Sequence, residues 1–370
     1  MDDRKYNKNR WWIYTSKIKI MAFLQFKNVG IKAMSACVPK NISSNYDLGY
    51  LIPEDEIEKT INSIGIKEKR FVDSNVCSSD LCVKAAEKLF EDNNIDRSSI
   101  DMVLFLSQTA DYRIPATAPI IQHRLGLPQT TASLDLNLGC SGFVYGLSTA
   151  FSYASIEGID RVLLLVGETF SKIVNPKDKV NAPLYGDAGT ATLIEKENKS
   201  SSYFLLNSDG KGENAVKIPS GGYRNPVKVD DLEERLREEG NIRSNLDVYM
   251  NGMDVFNFAI RVVPRGVKEI MKKVDLSVEA IDYLVFHQAN KFMTDFFVKR
   301  LKINDSKVPY CIGKYGNTSA ASIPLTIVSE LFDTDISNNK IIMSGFGAGL
   351  SWGTALVIPR DLSISKIIEY

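Results

Sequence analysis

The chain has 370 residues, 44% hydrophobic and 24% charged, enough to bury one large core or two ordinary ones and unlike a disordered or fibrous protein. Lysine plus arginine balances aspartate plus glutamate at 45 each, so bulk charge draws the protein neither to nucleic acid nor to an anionic membrane, and any basic docking patch is local. Five cysteines, Cys37, Cys77, Cys82, Cys140 and Cys311, form no CxxC pair and have no histidine nearby; this argues against a disulfide framework and a zinc site, so no metal or cofactor is expected and a reducing cytoplasm fits.

Residues 1–20 are basic and aromatic but lack the apolar core of a signal peptide, and are read as an extension from an upstream start codon. No apolar run approaches the roughly 20 residues needed to span a bilayer. "AFLQFKNVGIKAMSACVP", after Met21, reads as the first strand region. "IDMVLFLSQTA" from Ile100 and "IDYLVFHQA" from Ile281 read alike, each a short apolar run suited to a buried strand. After Cys140, Phe143, Val144, Leu147, Phe151 and Ala154 fall on one helical face, and "RVLLLVGE" from Arg161 gives the next buried strand. The order returns after Asn317, where Ile323, Leu325, Ile327, Leu331 and Phe332 belong to a helix that "KIIMSGFG" follows as a strand. Both series close on near-identical words, "GTATLI" from Gly189 and "GTALVI" from Gly353.

A repeat of about 180 residues is too long for a solenoid unit and predicts two copies of one α/β domain packed together, residues 21–202 and 203–370. Cys140 and Asn317 then stand just before corresponding helices, which a pseudo-two-fold axis would bring together. Residues 211–246 are charged and turn-rich and read as a surface excursion with a short helix over Leu232–Glu239. "MDVFNFAIRVVPRGVKEIMKKV" has helical periodicity, with a kink expected at Pro264.

A free cysteine is most often a small buried hydrophobe. Cys140, in "LDLNLGCSGF", instead sits where a strand stops and a helix begins, and a helix start favours the thiolate. Gly139 and Gly142 leave the sulfur unshielded and permit a sharp turn. Of the two histidines, His123 lies on the polar face of a helical pattern and reads as solvated; His287 ends a buried strand and would emerge into the cleft at the strand's C-terminal edge. In "GNTSAASIPL", Asn317 or Thr318 could simply cap a helix, yet the small residues also allow close approach by a ligand. "GFGAGLSWG" reads as a turn between strands whose N–H groups can face an oxyanion; it lacks the endings of a phosphate loop.

"LGCSGF", "HQAN", "GNTSAAS" and "GFGAGLSWG", in this order, together with "GDAGTATLI" from Gly186, resemble the ketosynthase III family. These are condensing enzymes of the 3-oxoacyl-[acyl carrier protein] synthase III type, and the similarity covers roughly Leu24 to Pro359. The resemblance implies a thiolase-like α/β fold, two pseudo-repeated halves in an αβαβα arrangement, acting as a homodimer. It implies decarboxylating Claisen condensation of an acyl thioester on Cys140 with malonyl-acyl carrier protein, in fatty-acid initiation or a related specialised lipid or polyketide pathway. His287 and Asn317 would bind the malonyl thioester carbonyl, with the N–H groups of Cys140 and Ala348 as oxyanion hole. Elongating ketosynthases resemble a Cys-His-His pattern, and biosynthetic thiolases need a second cysteine that Cys311 does not supply. Relatives primed by acyl-coenzyme A commonly carry a tryptophan and an arginine where this chain has Lys59 and Ser63, so the acyl donor is acyl-coenzyme A or, more in keeping with these residues, an acyl carrier protein. Lys291, Lys299 and Arg300, with Lys302, match a basic patch for that carrier, against which stands an ordinary solvated helix face. Ile114 matches a position that reaches into the partner subunit's acyl pocket. A non-condensing acyltransferase and a non-catalytic partner subunit remain the alternatives.

Overall fold

The structure, a computed structural model, describes residues 22–237 and 240–370; the N-terminal extension of residues 1–20 lies outside them. In chain order the elements that position the site are β1 (Ala22–Val38), β2 (Asn41–Ser44), α1 (Glu54–Ile64), β3 (Glu68–Phe71), α2 (Ser78–Asn93), β4 (Met102–Leu106), α3 (Thr117–Arg124), β5 (Ala132–Leu136), α4 (Gly142–Ala154), β6 (Arg161–Thr169) and β7 (Asp187–Ser208). They continue with α5 (Gly252–Lys273), β8 (Tyr283–Phe286), α6 (Lys291–Leu301), α7 (Ile312–Tyr315), α8 (Ser322–Leu331), β9 (Ile341–Gly347) and β10 (Ser351–Val357).

One long strand organises the molecule. β7 runs for 22 residues; its first part pairs antiparallel with β6 and its last part antiparallel with β10. β1 lies antiparallel along both parts, Val29–Cys37 against Lys196–Gly189 and Ala22–Lys27 against Leu206–Ser201. The resulting half-sheets run β5-β4-β6-β7-β1 and β8-β9-β10-β7-β1. Pairing senses correspond too: β4 is parallel to β6 as β8 is to β9, and β6 is antiparallel to β7 as β9 is to β10. The boundary drawn at 202/203 falls inside β7, where the chain passes from one half-sheet to the other without a break in the strand.

The strands read as continuous apolar runs because both of their faces are covered. Val162, Leu164 and Val166 of β6 point into a central core with Phe143, Val144, Leu147 and Phe151 of α4 and Ile323, Leu325 and Ile327 of α8, while Ile341, Met343, Ala355 and Val357 close that core from the other half-sheet. Leu163 and Leu165 face outward onto α2 and α3. On the far side Leu284, Phe286, Ile342 and Phe346 pack against α5 and α6. Helices, half-sheet, paired helices, half-sheet and helices make the five layers of the thiolase fold. Each large side chain buried by α4 contributes about 1.5–3 kcal/mol, so the element after Cys140 is firmly anchored.

Two local expectations are corrected. Residues 232–237 form no helix: a short 3-10 turn covers Val229–Leu232, and Arg235–Leu236 pairs antiparallel with Ile242–Arg243. The charged run favours a helix in isolation, but tertiary anchoring wins. Arg243, buried, forms a 2.9 Å ion pair with buried Asp178, and Gly240 turns the hairpin at φ +79°. Pro264, by contrast, sits buried inside α5 without interrupting it. Of the α8 positions, Phe332 is 38% exposed and lies just past the helix end. Among the described residues no helix is long and apolar enough to cross a membrane.

Candidate active site

β5 delivers the chain to Cys140, and α4 begins two residues later at Gly142. The turn is held by close packing. A Cβ on Gly142 would meet Leu106 Cδ2 at 2.6 Å, one on Gly139 would meet Gln108 Oε1 at 2.5 Å, and one on Gly347 would sit 2.6 Å from Cys140 Cβ. Neither Gly139 nor Gly142 has a positive φ, so these glycines make room for neighbours and are not needed for backbone angles. Ser141 Oγ bonds Ser351 Oγ at 2.7 Å, tying the turn to the β9–β10 hairpin.

Cys140, His287 and Asn317 line one cleft together with Gly347 and Ala348. His287 follows β8, and its N–H donates to Ser344 O at 2.9 Å. Asn317 is clamped to the other half of the chain: its N–H donates to Leu184 O at 2.8 Å and its carbonyl accepts from Gly186 N–H at 3.1 Å. Its side-chain Oδ1 accepts from Ser319 N–H at 2.9 Å, which leaves Nδ2 as the donor facing the cleft. The helix-cap reading of Asn317 thus accounts for the oxygen of the amide alone. The N–H groups of Cys140 and Ala348 take part in none of the main-chain hydrogen bonds of turns and loops among the described residues.

Ser319 and Ser322 lie within "GNTSAAS", where the sequence reading saw only small size. Ser319, buried and at φ +50°, puts Oγ 3.6 Å from Cys140 Sγ, holds the Asn317 amide, and hydrogen-bonds the His287 ring through its main chain. A non-glycine residue in this conformation costs about 1–3 kcal/mol, and here it touches all three members of the set. Ser322 Oγ lies 2.7 Å from His287 Nδ1 and accepts from Gln288 N–H at 3.3 Å. A Ser322 hydroxyl that donates to Nδ1 places the ring proton on Nε2, the tautomer that donation into the cleft requires.

Burial dominates the electrostatics. It pushes the Cys140 thiol up to about 11, against the Ser319 hydrogen bond. The expectation of a lowered thiol is therefore reversed at rest: a helix start contributes about 0.3–1 kcal/mol, whereas a rise from 9.0 to about 11 corresponds to roughly 2–3 kcal/mol. Burial pulls His287 down to about 3, so the imidazole is neutral. Glu168, fully buried behind the site, is pushed up to about 8 by burial while accepting from Gln108 N–H and Thr109 Oγ1.

Other singled-out residues lie elsewhere. His123 is exposed in the last turn of α3. Cys311 is buried against Thr326 Oγ1 at 3.1 Å. Lys59 and Ser63 are exposed on α1. Lys291, at the start of α6, pairs with Asp295 at 2.5 Å. Lys299 and Arg300 are exposed at the far end of α6, about 12–14 Å along its axis. Arg300 shares a surface groove with Arg261, Arg265, Lys268 and Lys272 of α5, cations the sequence reading did not connect. Ile114 is 81% exposed on the loop before α3 and does not line this chain's cleft. Among the described residues no group of three or more His, Cys, Asp or Glu could hold a metal ion.

A five-layer fold with a cysteine, a neutral imidazole and a carboxamide in one cleft defines the class: thiolase-fold condensing enzymes, acyltransferases that work on thioesters. The comparisons narrow it. The models of 3-oxoacyl-[acyl-carrier-protein] synthase III and of its C-terminal region match residues 134–210 and 271–358. The beta-ketoacyl-[acyl-carrier-protein] synthase III of Caldanaerobacter subterraneus subsp. tengcongensis is 34% identical over 333 residues, covering 89% of this chain and 97% of that protein. Its counterpart in Clostridioides difficile is 33% identical over 330 residues, with the same coverage of each chain. The crystal structure of 3-oxoacyl-(acyl-carrier protein) synthase from Burkholderia xenovorans superposes with a TM-score of 0.89 at 35% identity, over 95% of this chain and 99% of that one. The chain belongs to the 3-oxoacyl-[acyl-carrier-protein] synthase III family, whose reaction is decarboxylating condensation of an acyl thioester with a malonyl thioester.

Proposed function

We propose that Cys140, His287 and Asn317 carry out this condensation with malonyl-acyl carrier protein. The supporting observation is that one cleft holds the thiol and, from the other half of the chain, the Asn317 carboxamide, its oxygen tied to Ser319 N–H, and the His287 imidazole, its Nδ1 against Ser322 Oγ. In the first step Cys140 sulfur attacks the donor thioester; the donor C–S bond breaks and the thiol proton ends on the departing thiol. In the second, the malonyl thioester carbonyl accepts from Asn317 Nδ2–H and His287 Nε2–H. Loss of carbon dioxide leaves an enolate whose negative oxygen those donors stabilise. The enolate carbon attacks the acyl carbonyl, the bond to Cys140 breaks, and the freed thiolate takes a proton from solvent. The N–H groups of Cys140 and Ala348 receive the oxyanion of each tetrahedral intermediate. Two charges at two steps require two sets of donors, and losing such a donor costs roughly 100- to 1000-fold.

A carrier protein suits the basic groove of Arg300, Arg261, Arg265, Lys268 and Lys272 beside Lys299, and Lys59 and Ser63 offer nothing flat on which an adenine could stack. Protruding Ile114 suits a homodimer in which it reaches the partner's acyl pocket. Five unpaired thiols suit the cytoplasm. Carbon dioxide release from malonyl-acyl carrier protein tests the function: acyl-dependent release together with a 3-oxoacyl product is expected. An acyl-Cys140 adduct without release would make the protein a non-condensing acyltransferase, and no adduct at all would make it a non-catalytic subunit.

A further inference from the structure

Two polar groups in the cleft have no part in the condensation described above. Gln108, a solvent-exposed residue, also lines the cavity with Cys140, and its side-chain amide has no hydrogen bond to another described residue. That amide lies against the residue preceding the nucleophile, where a Cβ on Gly139 would be 2.5 Å from Oε1 and 3.6 Å from Nε2. Its main chain is fixed, since the Gln108 N–H donates to Glu168 at 3.2 Å. Tyr185 also lines the cavity and is 4% exposed. Its ring stacks on Phe170 at 4.7 Å, and among the described residues the hydrogen-bond contact of its hydroxyl is Met250 Sδ at 3.8 Å, a weak acceptor. A buried phenol normally finds a better partner. The surrounding wall, Phe170, Leu184, Val216, Met250 and Val255, offers none. Asn290, another polar residue of the lining, uses its oxygen to cap α6 through Met293 N–H.

We propose that the acyl group loaded on Cys140 carries an oxygen function, a hydroxyl or a carbonyl, near its thioester end, held between the Gln108 amide and the Tyr185 hydroxyl. Gln108 offers both a donor and an acceptor, and Tyr185 a proton with no strong acceptor, so an oxygen that accepts from one and reaches the other completes both. A plain alkyl chain would leave the buried Tyr185 hydroxyl facing hydrocarbon, a penalty that a hydrogen-bonding site imposes on any analogue lacking the oxygen, while Gln108 at the solvent side would supply the second contact. The inference rests on the acyl-Cys140 reading and specifies its substrate class.

The test compares two acyl groups of the same shape, 3-hydroxybutyryl and isovaleryl, which differ by hydroxyl for methyl. Each is supplied to the full chain as a carrier-protein thioester and, in parallel, as a coenzyme A thioester, with the Cys140 adduct followed by intact mass. Loading of 3-hydroxybutyryl at least about tenfold faster is expected. Tyr185→Phe and Gln108→Leu should each bring the ratio toward one by slowing the hydroxyacyl donor, and their retained loading of isovaleryl shows that they fold. Equal or faster loading of isovaleryl by the unmodified chain overturns the inference and leaves the condensing reading intact, as does a ratio that neither substitution changes. If neither donor loads while iodoacetamide still alkylates Cys140, the thioester reading falls and this inference with it.

Discussion

At the scale of single residues, Cys140 sits partly exposed at a helix start, yet desolvation by its surroundings outweighs that start. Thiolate is the reactive form, and a thiol raised to about 11 holds little of it at neutral pH. Alkylation of Cys140 by iodoacetamide should therefore climb about tenfold per pH unit from 6 to 9 without levelling; a plateau near pH 7 would mean that the helix start overrides burial. His287, neutral above about 3, adds no acid limb in that range. Ser322 makes a separate prediction. With only two histidines in the chain, ¹⁵N-histidine NMR resolves His287 from exposed His123, and the unmodified protein should show a bare Nδ1. In Ser322→Ala the two tautomers should mix and condensation should fall about 10- to 100-fold. An unchanged tautomer would remove Ser322 from the site. That Cys140, His287 and Asn317 would line one cleft was legible in the sequence because each ends or begins an element; the contacts of Ser319 and Ser322 were not, since they depend on which atoms the turn after Asn317 brings together.

At the scale of elements, the site depends on pieces that hold loops rather than reacting groups. The Arg243–Asp178 ion pair fastens the hairpin after β7, and Asp178 also accepts from Val180 N–H at 2.9 Å and Asn181 N–H at 3.1 Å. Removing one partner strands a buried charge, so Arg243→Ala should lower stability by about 3–5 kcal/mol, measured as a shift of the urea midpoint; a change below about 1 kcal/mol would mean that the pair is dispensable. Strands β4, β6 and β9 were readable as uninterrupted apolar runs, and α4 as an amphipathic face. The hairpin at Arg235–Arg243 was not, because its charged residues favour a helix and distant contacts, Arg243 with Asp178 and Asn241 with Lys179 N–H, decide otherwise. Likewise Pro264 signals a kink by its chemistry, while packing of α5 on its half-sheet keeps the helix continuous.

At the scale of the whole molecule, the repeated words "GTATLI" and "GTALVI" mark strands with the same sequence of pairing partners in each half-sheet, so the layered fold was visible in the sequence; that a single strand, β7, belongs to both half-sheets was not, because nothing local marks a strand that changes partners. Self-association belongs to this scale too. Ile114→Asp should convert a homodimer to monomers in sedimentation, and an unchanged mass would remove Ile114 from the interface. The central claim is that one cleft divides two tasks, acyl transfer to Cys140 and condensation through His287 and Asn317. Intact-mass spectrometry with a malonyl-carrier chase tests it most directly. The acyl adduct should form on the unmodified protein, His287→Ala and Asn317→Ala alike, and malonyl-acyl carrier protein should clear it promptly from the unmodified protein alone. Prompt clearance from either variant, or an adduct on any residue other than Cys140, would contradict the account.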